Sequence, residues 1–199
     1  MKLIFISGPS GSGKTTLSNK IFEKINNGLV LSTDNYYKTG LLSKLLSKCV
    51  ENYYDKIVSF NYKLFKKDFD FIIKNGNSTN ERSYDFKKKK IINSLKETNN
   101  INFLIVEGIF ARDISSTLHN QNFLSLELKI NKYDCMKRVV QRDFIERGKG
   151  RKKASKDFLK SWEVYYKKFK NNSSKKNKNE LIITKSTNMD KVINEILIS

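Results

Sequence analysis

The chain has 199 residues, of which 38% are hydrophobic and 30% charged, and its formal net charge is +19. That length suits one domain with a full core and leaves no room for two large ones, and the apolar content excludes an intrinsically disordered chain. The charge is carried by 33 Lys and only 6 Arg, whereas readers of base edges lean on Arg, so it argues against nucleic acid as the main partner.

The two cysteines, Cys49 and Cys135, stand far apart with no C-x-x-C spacing and read as reduced structural thiols. The apolar run before Gly8 is too short for a signal peptide, and no stretch reaches the length of a membrane span. The expectation is a cytoplasmic protein without a membrane partner; a homo-oligomer is neither required nor excluded.

Short apolar runs alternate with helical patterns along the chain. Residues 2–7 read as a buried strand, and residues 14–25 as a helix with Leu17, Ile21 and Ile25 on one face. Residues 29–32 read as a second strand, and residues 60–74 as a helix turning Leu64, Phe71 and Ile72 inward and closed at Asn75-Gly76. Strands follow at 101–106 and 123–130, helices at 133–146 and 158–169, then a strand at 181–183 and a helix at 189–196. Residues 171–179, rich in Lys, Asn and Ser, read as a solvated loop. Residues 39–99 are the least regular and suit an insertion that shapes a substrate pocket. Strand–helix alternation of this kind predicts an α/β fold with a parallel sheet covered on both faces.

The segment Gly8-Pro9-Ser10-Gly11-Ser12-Gly13-Lys14-Thr15 matches G-x-x-x-x-G-K-[ST] in full and lies between a predicted strand and a predicted helix, as its mechanism requires. Its glycines permit positive φ and close backbone approach, so that successive N–H groups face the phosphates of a nucleotide. Lys14 supplies a mobile cation, the Thr15 hydroxyl a ligand for Mg²⁺, and the helix behind them its positive dipole end. The chain therefore binds ATP or a similar nucleotide, with Gly8, Ser10, Gly11, Ser12, Gly13, Lys14, Thr15 and Thr16 as the contact residues.

Two acidic residues follow predicted strands, where ligands of open α/β sheets bind. Asp34 stands where it is either a general base beside the γ-phosphate or a turn-capping carboxylate. Glu107 either organises Mg²⁺ or is a solvated strand end. Four of the six arginines, Arg138, Arg142, Arg147 and Arg151, fall within fourteen residues that begin helical and end in a Gly-broken loop. They form either a lid over phosphates or a basic helix end.

Taken in order, G-P-S-G-S-G-K-T-T at 8–16, S-T-D-N-Y-Y-K at 32–38, Y-D-x-x-x-x-F at 54–60, Y-D-F at 84–86, V-E-G-I at 106–109 and R-D-x-x-E-R-G at 142–148 resemble the uridine kinase family of P-loop kinases, related to phosphoribulokinase. The resemblance covers most of the chain. It implies a P-loop NTPase fold in a single domain, with a five-stranded parallel core, a nucleoside-binding insertion at about 38–99 and an arginine-bearing lid at about 142–158. It implies transfer of the γ-phosphate of ATP or GTP to the 5′-hydroxyl of a pyrimidine nucleoside, with Asp34 and Lys14 catalytic. Tyr37 then neighbours the acceptor, Asp55 binds the ribose hydroxyls, Tyr84 contacts the base, and Arg142 and Arg147 contact phosphate. The chain departs from the family pattern at Lys56-Ile57, where His-Pro is usual, at Asn61 for a second aspartate, at Lys89 for a histidine that reads the pyrimidine edge, and at Val139 for an arginine. These departures leave another ribosyl or small-molecule alcohol as the alternative acceptor.

Overall fold

Leu3 and Phe5 alternate with Ile4 and Ile6 along β1 (Lys2–Ser7), and all four are buried. A strand apolar on both faces must be covered on both, which a parallel sheet between helical layers provides. The fold is taken from a computed structural model that describes residues 1–86, 88, 90–118, 122–172 and 180–198. From β1 the chain enters α1 (Lys14–Lys24), β2 (Gly28–Ser32), α2 (Leu41–Cys49) and α3 (Tyr62–Asn75). A hairpin of β3 (Ser78–Asp85) and β4 (Lys90–Thr98) leads to β5 (Phe103–Glu107), α4 (Ala111–Ser115) and β6 (Phe123–Leu128). Two helices, α5 (Lys132–Ile145) and α6 (Arg151–Asn172), precede β7 (Glu180–Ile183) and α7 (Met189–Ile198).

The main sheet has the order β2-β5-β1-β6-β7 with every pairing parallel, the five-stranded core that the resemblance implies. One face packs Leu3, Phe5, Leu104 and Val106 against Phe65, Phe69 and Ile72 of α3 and Ile114 of α4. The other packs Ile4, Ile6, Ile105 and Leu126 against Leu17 and Ile21 of α1 and Ile193 and Ile196 of α7. The register sets Ser7 opposite Glu127, and Glu107 opposite both Ile6 and Ser32. The carboxyl ends of the strands thus form a polar row along one edge of the sheet.

The predicted helix at 60–74 begins later than expected, because the Asn61 side chain accepts a hydrogen bond from Leu64 N and so caps α3. Its inward face also differs. Ile72 is buried and Leu64 packs against the core as expected, joined by buried Phe65 and Phe69, but Phe71 is 45% exposed and does not face the core. The helix predicted from residue 158 starts at Arg151, so the expected lid consists of the end of α5, the turn at 146–150 and the start of α6.

The irregular insertion holds three elements that periodicity missed, α2, β3 and β4. In α2 three of the four leucines point outward, with Leu41, Leu42 and Leu45 exposed, Leu46 half-buried and Ser43 buried. In β3, residues STNERSYD carry almost no apolar signal. The hairpin is held instead by polar contacts: Arg82 pairs with Asp68 at 2.5 Å, and the Asn35 side chain accepts from Tyr84 N at 3.0 Å. Residues 171 and 172 of the predicted loop at 171–179 instead complete the last turn of α6; residues 173–179, and His119, expected at the surface, lie outside the described residues. Among the described residues no helix is long and apolar enough to cross a membrane.

Deleting a buried ring leaves a cavity that the aromatic cluster around Phe65, Phe60 and Phe69 cannot refill. Phe65→Ala is expected to cost about 3–5 kcal/mol, and Phe71→Ala under ~1 kcal/mol, measured by urea denaturation of both variants.

Candidate active site

Between β1 and α1 the loop is bent by glycines at positive φ. Gly11, at φ 79°, leaves no room for a side chain: a Cβ there would lie 2.4 Å from the Cys135 carbonyl oxygen of α5. Gly13 precedes α1 in the left-handed region and supplies no capping side chain, and the first turn holds no acidic residue. The positive end of the helix therefore remains available to an external anion. Ser12 Oγ, buried in the loop, has no hydrogen-bond partner among the described residues, which suits a site built for phosphate oxygens. The Arg138 guanidinium braces the loop from α5, donating to the carbonyls of Gly11 at 3.2 Å and Ser12 at 3.4 Å.

Lys14 is buried and donates to the Pro9 carbonyl at 3.0 Å. Burial pulls its ammonium below the usual lysine range, although the neighbouring Glu107 and Asp34 oppose this. Glu107 is pushed up by the same desolvation, partly offset by Lys14. The Thr15 hydroxyl donates to Glu107 Oε2 at 3.5 Å, while Thr16 is exposed beside it in the first turn of α1. Among the described residues no cluster of three or more His, Cys, Asp or Glu side chains forms a metal cage. Mg²⁺ in a nucleotide site needs only one or two protein oxygens besides phosphates and waters, so a hydroxyl and a carboxylate at this spacing fit it.

The turns carrying Asp34 and Glu107 pack back to back. Gly108, at φ 137°, accepts the Thr33 side chain so closely that a Cβ would lie 1.8 Å from Thr33 Oγ1. Asp34 accepts from the Tyr37 hydroxyl at 3.4 Å, and burial, then Asp34 and Asp55, hold that hydroxyl well above the usual tyrosine range. Backbone bonds from Lys38 N to Ser59 O and from Asn61 N to Tyr36 O, both 2.7 Å, tie this turn to the segment bearing Asp55.

A cleft of about 540 Å³ opens here, lined by Ser10, Asp34, Tyr37, Asp55, Tyr84 and Arg147 among others. Its wall is aromatic: Tyr37 packs edge-on to both Tyr54 and Tyr84, and Tyr84 to Phe86. Asp55 accepts from Ser161 Oγ of α6 at 2.5 Å. Burial raises its carboxyl, the Ser161 bond opposes the rise, and Asp34 adds to it.

Asp143 gathers the cations on the remaining side. Its buried carboxylate meets Arg142 at 2.8 Å, Arg147 at 3.3 Å and Lys149 at 3.2 Å. Burial works to raise Asp143, but the bond from Arg142 and the charges of Arg147, Arg142 and Lys149 outweigh it and hold the carboxyl below its usual value. From this anchor Arg142 lies close enough to Lys14 to act on its charge, and Arg147 stacks over the Phe86 ring at 3.8 Å from its centre.

Of the residues singled out from sequence, the loop 8–16, Asp34, Tyr37, Asp55, Tyr84, Glu107, Arg142 and Arg147 converge on this one region. Asn61 does not, because it caps α3; Lys89 lies outside the described residues. Asp143, Ser161 and Phe86 were not assigned roles, and Arg138, grouped with the other clustered arginines, braces the phosphate loop. The i, i+4 spacing of Asp143 and Arg147 within R-D-x-x-E-R-G was the available signal for the first, whereas Ser161 carried none.

Comparison with known proteins agrees with this geometry. The family model described as "Phosphoribulokinase / Uridine kinase family" matches residues 3–190. The uridine kinase of Borrelia duttonii is 30% identical over 171 residues, covering 85% of this chain and 80% of that protein. That of Ureaplasma parvum is 30% identical over 152 residues, covering 74% and 71%. Among solved structures, the D-glycerate 3-kinase of Cryptococcus neoformans superposes with a TM-score of 0.65 at 13% identity, over 92% of this chain and 86% of that one, which is a likeness of fold. With the phosphate loop, the five-stranded parallel sheet and the family match in agreement, the chain belongs to the phosphoribulokinase and uridine kinase family and is an ATP-dependent P-loop kinase.

Proposed function

We propose that this kinase transfers the γ-phosphoryl group of ATP to the 5′-hydroxyl of a pyrimidine nucleoside such as uridine or cytidine. The observation that carries the reading is the pairing of two carboxylates, Asp34 and Asp55, in one aromatic-walled cleft that reaches the phosphate loop at Ser10. A nucleoside has the matching parts: a base for the tyrosine wall, a ribose diol for Asp55, and a primary hydroxyl to bring to Asp34. The names of the relatives point the same way.

In this reading the acceptor oxygen bonds to the γ-phosphorus as the bond to the bridging oxygen of ADP breaks. The acceptor proton passes to Asp34, whose carboxylate is oriented by the Tyr37 hydroxyl. Tyr37 stays protonated and is a donor, not a base. Lys14 and Arg142 neutralise charge on the transferring group. Thr15 and Glu107 would hold Mg²⁺, which when bound offsets the charge between the β- and γ-phosphates. Arg147 closes the cleft over Phe86 and excludes water, which would otherwise compete as acceptor.

Incubation with MgATP and a panel of uridine, cytidine, purine nucleosides, ribose and glycerate, scored by ADP release, tests the substrate. Uridine or cytidine monophosphate is expected as the main product; preference for a non-nucleoside alcohol would replace this reading with the second acceptor class. Asp34→Asn is expected to lower kcat by about 10²–10⁴-fold while MgADP affinity, measured by calorimetry, stays within about twofold; unchanged turnover would remove Asp34 as the base. Asp143→Asn releases three cations from their common partner. It should raise KM for ATP at least about tenfold, judged by the cost of breaking a buried charge cluster, and steady-state kinetics would read it.

A further inference from the structure

Glu127, the penultimate residue of β6, is 1% exposed and belongs to none of the groups assigned above. Its carboxylate is nevertheless fully engaged. Oε2 accepts a tight hydrogen bond from Ser7 Oγ, its in-register partner on β1, and Oε1 accepts from the Tyr165 hydroxyl at 2.6 Å. Arg112 of α4 lies 4.0 Å from Oε2 and 3.6 Å from Glu180. Ser7 is the residue that opens the phosphate loop, and the Glu127 charge reaches Lys14. Burial and the adjacent Glu127 hold the Tyr165 hydroxyl well above its usual range, so that it remains a donor.

Tyr165 lies four residues after Ser161, and residues at that spacing share one face of a helix. The same face of α6 therefore makes two polar contacts, one to Asp55 in the acceptor cleft and one to the carboxylate beneath the start of the phosphate loop. Both replace water at buried carboxylates, where hydrogen bonds to charge are worth most.

We infer that α6 is the gauge of the active site: Ser161 positions Asp55, Tyr165 and Glu127 position Ser7 and hence the phosphate loop, and the helix fixes the distance between donor and acceptor. Ser161, Tyr165 and Glu127 are positioning residues, acting through groups that meet the substrates. The acceptor half rests on the reading of Asp55 given above; the donor half depends only on nucleotide binding.

The test uses the full chain with MgADP as the probe, so that the donor half is read whatever the acceptor proves to be. Tyr165→Phe keeps the ring and leaves Glu127 paired with Ser7 and Arg112, so the variant should melt within a few degrees of the parent. Its MgADP affinity is expected to fall about tenfold, the usual effect of losing one hydrogen bond to a charged group, and Ser7→Ala should do the same. Because the two act through one carboxylate, the double variant should be within about twofold of either single variant. Unchanged MgADP affinity in Tyr165→Phe, or losses that multiply in the double variant, would overturn the donor half. Ser161→Ala should raise the acceptor KM about tenfold and leave MgADP affinity unaltered. Ser161→Ala with an unchanged acceptor KM would overturn the acceptor half even where the ADP result stands.

Discussion

Everything at the working edge of this protein follows from keeping carboxylates out of water at the ends of apolar strands. Glu107 is the last residue of β5 and Glu127 the last but one of β6, and both are buried. An isolated buried carboxylate is too costly to tolerate, so each has been given partners: Lys14, Ser32 and Thr15 for Glu107, and Ser7, Tyr165 and Arg112 for Glu127. Those partners are drawn from β1, β2, the start of α1 at the phosphate loop, α4 and α6. The need to satisfy two strand-end charges thereby fixes how the helices sit on the sheet, and with them the position of the loop that receives the nucleotide.

The aromatic content is placed with the same economy. Phe5, Phe60, Phe65, Phe69 and Phe110 form a continuous core under the acceptor segment, and Tyr36 joins it from the turn that carries Asp34. Tyr37, Tyr54, Tyr84 and Phe86 continue that surface into the cleft. The ligand-facing aromatics are thus backed by packed rings and not by loop alone, which pre-organises the wall against which a flat ligand would lie.

How much was legible depended on which force shapes each element. The parallel core could be read from residues 2–6 and 104–106, because burial on both faces leaves unbroken apolar runs. The phosphate loop was equally plain, since Gly8, Gly13, Lys14 and Thr15 are dictated by backbone sterics and charge. The hairpin β3–β4 was not, because Arg82–Asp68 and Asn35–Tyr84 are contacts between residues far apart in sequence, and the strand itself has no alternating pattern. Nor was α2, a short helix whose Leu41, Leu42 and Leu45 face solvent and so do not join the core. The Asn61 departure, read from sequence as a change in the pocket, is a helix cap, a role that Asn fills as well as Asp. Asp143 and Glu127 share one further obstacle: a buried carboxylate looks in sequence like any surface acid until its partners are known.

Two carboxylates, Asp143 and Asp157, do not neutralise Arg142, Arg147 and Lys149, so this side of the cleft keeps a net positive charge, with Lys14 behind it. That field extends beyond contact distance in a chain whose overall charge has the same sign. A nucleotide carrying several negative charges is drawn toward the cleft before any bond forms, and its capture rate is raised in dilute salt. At physiological ionic strength the reach shrinks to roughly 8 Å. The speed of encounter, as distinct from the strength of holding, is therefore set by the ions in which the enzyme works.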